Sequence, residues 1–148
     1  MSNLESKLKD KSAVIGIVGL GYVGLPLAVA FAQAGFKVIG FDIQSKRADQ
    51  VNQGKSYIGD ISGKDLSALV VKNRLEATTD QSRLTETDAI CICVPTPLNK
   101  TKDPDLSYVI QESEEISKYL KHGQLVILES TTYPGLTSGS KVRILSMV

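Results

Sequence analysis

The chain has 148 residues, 42% hydrophobic and 22% charged, with a net charge of +1. That length makes about one domain with a buried core, and the near-neutral charge leaves no basic footprint for nucleic acid or an anionic membrane. No apolar run approaches the ~20 residues of a membrane span, and the polar residues 1–11 lack a signal-peptide core, so the reading is a cytoplasmic protein without nucleic-acid or membrane partners.

In chain order, the first element is a Val- and Ile-rich strand over residues 13–18. It runs into "VGLGYVGLPL", whose glycines Gly19, Gly21 and Gly24 are spaced GxGxxG. An apolar helix over 22–34 follows and stops at Gly35, with Pro26 tolerated in its first turns because the early N–H groups lack partners. A second strand over 37–41 ends at Asp42. Residues 45–52 read as a helix stopping near Gly54, and "GKSYIGD" at 54–60 as an unassigned loop carrying one exposed aromatic. A helix over 64–71 carries Leu66, Leu69 and Val70. A weaker strand lies at 75–78 and a stronger one at 89–94.

That stronger strand holds both cysteines, Cys91 and Cys93. They are expected on opposite faces, reduced and in the core, with no histidine nearby to complete a metal site. Residues 106–120 show a helical apolar stripe, with Asp103 as cap and Pro104 at the first position. The charges from Glu112 to Lys118 read as its solvated face. His122 beside Gly123 reads as a structural cation at a helix end. A strand at 125–128 and a helix begun at 136–148 finish the chain. That last helix stops at the chain end, so the chain reads as a fragment of a longer protein.

Strands apolar on both faces, alternating with helices, predict an α/β fold: a doubly wound parallel sheet with right-handed crossovers and helices on both faces. In such a sheet ligands bind beyond the carboxyl ends of the strands, at the switch point. The glycine turn has its full context there: strand before, helix after, acid about 20 residues on. Gly19 permits the tight turn, Gly21 lets the backbone approach a pyrophosphate, and Gly24 lets helix pack on strand. The helix start offers N–H groups and partial positive charge to phosphates. Asp42 can accept hydrogen bonds from both hydroxyls of an adenosine ribose and repels a 2′-phosphate. Lys46 and Arg47 stand one helical turn further on. The cofactor reading is therefore NAD over NADP.

Two further loops lie at strand ends. Pro95-Thr96-Pro97 reads either as a wall of the cofactor cleft or as a rigid connection. Glu129 to Gly135, with hydroxyls at Ser130, Thr131 and Thr132, reads either as a reach toward the nicotinamide end of a cofactor or toward a substrate, or as a turn capping the next helix.

"GLGYVGLPLA" at 19–28, "GFKVIGFDI" at 35–43, "GKSYIGD" at 54–60, "CVPTPLN" at 93–99, "DPDLSYV" at 103–109 and "LESTTYPG" at 128–135 together resemble the NAD-binding domain of the nucleotide-sugar 6-dehydrogenases. The versions present are more similar to the UDP-N-acetylglucosamine branch than to the UDP-glucose branch. The resemblance spans essentially the whole chain. It implies oxidation of the C6 alcohol of a UDP-sugar to a carboxylate with two NAD.

Carried over by the resemblance, Gly19, Gly21, Gly24 and Asp42 hold the cofactor, Tyr22 and Val23 cover the pyrophosphate, and Pro95 and Thr96 run along it. Thr131 matches the threonine that positions the catalytic water near the nicotinamide. The family's nucleophilic cysteine, its lysine, most of the UDP-sugar pocket and the helix that makes its dimer would lie beyond residue 148. The chain then reads as one NAD-binding domain over 1–148, inactive alone, with the UDP-sugar-binding domain absent. The oligomeric state stays open, a homodimer being one outcome if an apolar patch left bare by that absence self-associates.

Two rival readings stay in view. A non-enzymatic nucleotide-sensing module has the same fold, but leaves the "VPTP" and "ESTTYPG" loops unexplained. A short-chain dehydrogenase needs a Tyr-x-x-x-Lys pair, and none of the five tyrosines has lysine four residues later.

Overall fold

The computed structural model describes residues 3–95, 97–102 and 105–129. Five strands, β1 (Val14–Val18), β2 (Lys37–Phe41), β3 (Leu75–Thr78), β4 (Ala89–Ile92) and β5 (Leu125–Leu128), form one parallel sheet in the order β3-β2-β1-β4-β5. The order reverses beside β1, so a crevice opens between its two neighbours. The register aligns Val18 with both Phe41 and Ile92, which brings three carboxyl ends level. Cys93 N–H donates to Val18 C=O at 2.7 Å and continues that pairing past β4.

The connecting helices are α2 (Gly24–Gln33), α3 (Ser45–Asn52), α4 (Gly63–Val71) and α5 (Ser107–Ser117). The central strands β1, β2 and β4 are buried on both faces, the edge strands β3 and β5 only in part, and the core divides accordingly. Ile15, Ile17, Val38, Leu75 and Cys91 pack with α2, α3 and α4 through Leu25, Ala28, Val51 and Leu66. Val18, Ile39, Phe41, Ile90 and Ile92 pack on the other face with Val109 and Ile116 of α5. Helices therefore cover both sides, as the continuous apolar strands require. No helix among the described residues is long and apolar enough to cross a membrane.

Several elements differ from the sequence reading. A helix, α1 (Asn3–Lys9), precedes the sheet. It has no fully buried residue, and its apolar signal is one short pair, Leu4 and Leu8, of which Leu8 packs against the core. It is tied down from afar, Lys7 Nζ meeting Asp88 Oδ1 at 2.7 Å while Asp88 Oδ2 accepts from Val14 N–H at 2.8 Å. The helix expected over 22–34 starts at Gly24, since Tyr22 and Val23 belong to the turn. The helix expected over 106–120 is Ser107–Ser117, and Asp105 Oδ1 accepts from Ser107 N–H at its start. His122 lies beyond that helix in an exposed turn, so it caps nothing. A 3-10 turn, Gln81–Glu86, fills the link between β3 and β4.

The two cysteines share one face, both joining the α2–α4 side of the core, because strand side chains repeat every two residues. The expectation of opposite faces was wrong. They are nonetheless free thiols, held apart by the extended backbone. Desolvation, with the charge of Glu129, raises Cys91 to about 11. Desolvation again, then Cys91 and Glu129, raises Cys93 to about 12. Neither is a ready nucleophile, since the thiolate is the reactive form. Asp103, Pro104, Thr96, Thr131 and the helix expected at 136–148 lie outside the described residues.

Candidate cofactor site

The glycine turn leaves β1 under tight constraints. Gly19 has φ +91°, and a Cβ there would stand 2.8 Å from the carbonyl oxygen of Cys93. A side chain is thus excluded both by the left-handed backbone and by the neighbouring strand. A Cβ on Gly24 would stand 1.6 Å from the carbonyl oxygen of Gly19, so α2 reaches the turn only because this position is bare. Gly21 differs: a Cβ there would meet nothing nearer than Arg47 Nη1 at 3.9 Å. Its bareness satisfies no contact within the chain, which leaves open space over the turn for a ligand backbone. No side chain caps the start of α2, and Tyr22 and Val23 stand outward, 85% and 55% exposed.

Asp42 lies at the end of β2 and is 5% exposed. Its Oδ2 accepts from Leu20 N–H at 3.0 Å and its Oδ1 from Gln44 N–H at 2.9 Å. The acid is therefore lashed to the glycine turn from one side and to the start of α3 from the other. Arg47 Nη1 stands 3.4 Å from Asp42 Oδ2. This corrects the sequence reading, which left Arg47 a helical turn away. Its long side chain folds back along α3 and reaches the acid.

Tyr57, expected to be an exposed aromatic in an unassigned loop, is half-buried and part of the same arrangement. Its hydroxyl donates to the carbonyl of Leu20 at 2.6 Å, and the Arg47 guanidinium lies over its ring at 6.0 Å. Leu20 is thus gripped at both ends of its peptide, N–H by Asp42 and C=O by Tyr57. Burial, then the nearby charge of Asp42, pushes the Tyr57 hydroxyl up to about 12, with Arg47 opposing. No spacing signal placed Tyr57 here, because the contact joins residues 37 apart in the chain.

One test isolates this strap. Tyr57→Phe keeps the ring and removes the donor, so it is expected to cost about 1 to 2 kcal/mol in urea unfolding. It should also flatten the alkaline limb. A folded-state hydroxyl raised to about 12 adds stability below pH ~10, lost as pH rises to ~12. The two cysteines titrate in the same window, so the wild-type-minus-variant difference is the reading. An unchanged midpoint at neutral pH would show that the hydroxyl contributes nothing.

Beyond these residues opens a cleft of about 200 Å³, continuous with solvent. Its floor is Val18 and Gly19, one side Asp42 and Ile43, and the other Val94 and Pro95. Its far wall is formed by Gln81 and by α5 through Tyr108 and Glu112. Glu112 was expected on a solvated helix face. It turns inward instead, while Glu115 and Lys118 do form an outward pair at 2.6 Å. Burial, then Glu115 and Asp42, raises the Glu112 carboxyl above its ordinary range. Arg47 also borders a second, more polar recess with Lys46, Gln50 and Tyr57. The structure thus brings together Gly19, Asp42 and Pro95 around one cleft, with Gly21 and Tyr22 at the adjoining recess.

Residues 13–147 match the family described as UDP-glucose/GDP-mannose dehydrogenase family, NAD binding domain. A UDP-N-acetyl-D-glucosamine 6-dehydrogenase of Pseudomonas aeruginosa is 40% identical over 135 residues, 91% of this chain and 31% of that protein. A UDP-N-acetyl-D-mannosamine dehydrogenase of Salmonella typhi is 43% identical over 124 residues, 83% of this chain and 29% of that protein. Among solved structures, an NDP-N-acetyl-D-galactosaminuronic acid dehydrogenase from Methanosarcina mazei superposes with a TM-score of 0.81 at 38% identity, covering 97% of this chain and 33% of that one. The chain therefore spans about a third of the length of the relatives it matches. With the cleft and the sequence in agreement, the chain belongs to the NAD-binding domain family of the UDP-glucose/GDP-mannose dehydrogenases.

Proposed function

We propose that this chain holds NAD across the carboxyl ends of β1, β2 and β4 and serves as the cofactor domain of a UDP-N-acetylglucosamine 6-dehydrogenase. The observation that carries the reading is the bare Gly21 beside a buried, well-anchored Asp42 at the switch point. Gly19 and Gly24 shape the turn, and Gly21, Tyr22 and Val23 border the pyrophosphate. Asp42 takes the adenosine ribose hydroxyls, with Arg47 beside it. Pro95 walls the cleft, and the family resemblance gives Thr96 a place along the cofactor and Thr131 the orienting of water near the nicotinamide. The cofactor, when bound, supplies the hydride acceptor.

Over the whole reaction one primary alcohol at C6 and one water become a carboxylate, and two NAD are reduced. The sugar-binding residues and the covalent nucleophile belong to the rest of the enzyme, since Cys91 and Cys93 are sealed in the core. The substrate choice rests on the motif versions in this chain and on the Pseudomonas relative's name and 91% coverage. A UDP-N-acetylmannosamine substrate is the second reading, favoured by the 43% identity of the Salmonella relative.

Calorimetric titration of the chain with NAD, and with NADP as control, tests the cofactor placement. Binding of NAD at least roughly tenfold tighter than NADP is expected, because a carboxylate repels the 2′-phosphate. Equal binding of both would remove Asp42 from its role. Turnover of UDP-N-acetylglucosamine by the whole enzyme, against UDP-N-acetylmannosamine and UDP-glucose, decides the sugar.

A further inference from the structure

The far wall of the cleft carries an oddity that the turn and the acid do not explain. Gln81 Oε1 and Glu112 Oε2 are buried, and neither has a hydrogen-bond partner among the described residues. They come from different elements, the 3-10 turn after β3 and helix α5, yet both residues border the same cleft. Buried acceptors without donors are uncommon and costly in native proteins. Two of them at one wall of one cleft ask for a donor that the described residues do not supply. The remaining lining is an apolar slot of Val18, Phe41, Ile43, Val94, Pro95 and Tyr108, together with Gly19 and the polar Asp42, Gln44 and Arg47.

We propose that Gln81 and Glu112 read the base of the dinucleotide, accepting from the exocyclic amine of adenine. The inference rests on the cofactor placement above and adds base specificity to it. An amine at that position carries two N–H groups, one for each acceptor. The apolar slot takes the faces of the ring, and Asp42 sits one sugar away. A base with a carbonyl in place of the amine brings a third acceptor against two acceptors. Hypoxanthine and guanine are therefore disfavoured: the Gln81 amide can turn to donate, but the Glu112 carboxylate has no proton to offer and is left facing an acceptor. The two residues touch the cofactor only, and are specificity residues for it.

The probe is the deamino cofactor, nicotinamide hypoxanthine dinucleotide, titrated against NAD on the same chain. Wild type is expected to bind NAD roughly tenfold or more tighter than the deamino form. Glu112→Gln has nearly the same shape and can turn its amide to donate to the carbonyl, so it should narrow that ratio several-fold while the chain keeps its unfolding midpoint. Gln81→Leu, a second variant on a different element, should narrow it as well by weakening NAD. Asp42→Ala should weaken both dinucleotides and leave their ratio unchanged. Equal affinity of wild type for the two cofactors overturns the proposal, as does a ratio untouched by both Glu112→Gln and Gln81→Leu. Failure of the chain to bind either dinucleotide overturns the cofactor placement itself, a distinguishable result.

Discussion

Gly24→Ala is expected to destabilise the chain by about 3 kcal/mol or more and to remove cofactor binding with it. The added Cβ would lie 1.6 Å from the Gly19 carbonyl oxygen and 2.8 Å from its carbon. Overpacking is often relieved by a flexible side chain moving away, but here the obstacle is backbone. Gly19 has no room to yield: its N–H donates to Phe41 C=O at 2.8 Å, and its own Cα faces the Cys93 carbonyl. Either α2 shifts off the sheet or β1 loses its pairing at Val18. Both uncover the apolar face that holds Leu25 and Ala28 in the core.

Gly21→Ala is the informative contrast. Its Cβ would meet only Arg47 Nη1 at 3.9 Å, ordinary contact distance. Stability should change by less than about 0.5 to 1 kcal/mol, while NAD affinity falls at least about tenfold as the methyl takes the ground of the pyrophosphate. Thermal unfolding and calorimetry on the two variants separate the roles. A Gly24→Ala midpoint equal to wild type would refute the close approach of helix and turn. Undiminished NAD binding by Gly21→Ala would refute the placement of the phosphates.

Asp42→Ala is expected to weaken NAD by about 10- to 100-fold, the range for losing hydrogen bonds to a charged group. Its second effect comes from Arg47. With the carboxylate gone, the guanidinium loses its partner at 3.4 Å and stands with Lys46 beside the same recess. Two cations near the ribose favour a 2′-phosphate. NADP should therefore weaken less than NAD, or tighten, and the preference between them should shrink or invert. Adding Arg47→Ala to Asp42→Ala should erase that gain. The single variant should also lose stability, since Leu20 N–H and Gln44 N–H both lose their acceptor. NAD affinity unchanged in Asp42→Ala would end the ribose assignment.

Much of this site was readable along the chain because its parts are local. The strand, the glycine spacing, the helix and the acid fall within residues 13–42, and each leaves a short-range pattern of apolar runs, bare positions and a strand-end charge. β2, β3, β5 and α3 fall where the apolar runs and stop signals put them. The cysteines show how a local rule can be misapplied: residues two apart on a strand share a face, and both thiols sit on one side of the sheet.

The sequence by itself determined the class of fold and marked the candidate cofactor turn. Strand runs buried on both faces demand helices on both sides, and three spaced glycines before an apolar helix specify a phosphate-binding start. Only the tertiary structure decided which side chains complete the cleft. Arg47 reaches Asp42 by folding back along α3, Tyr57 crosses 37 residues to hold Leu20, and Glu112 leaves a charged run to line the same cleft as Gln81. The physical reason is that periodicity records which residues are buried within an element. The direction a long polar side chain takes is set by what the neighbouring elements leave for it: an acid to pair with, a carbonyl to satisfy, or an apolar slot with room at its wall.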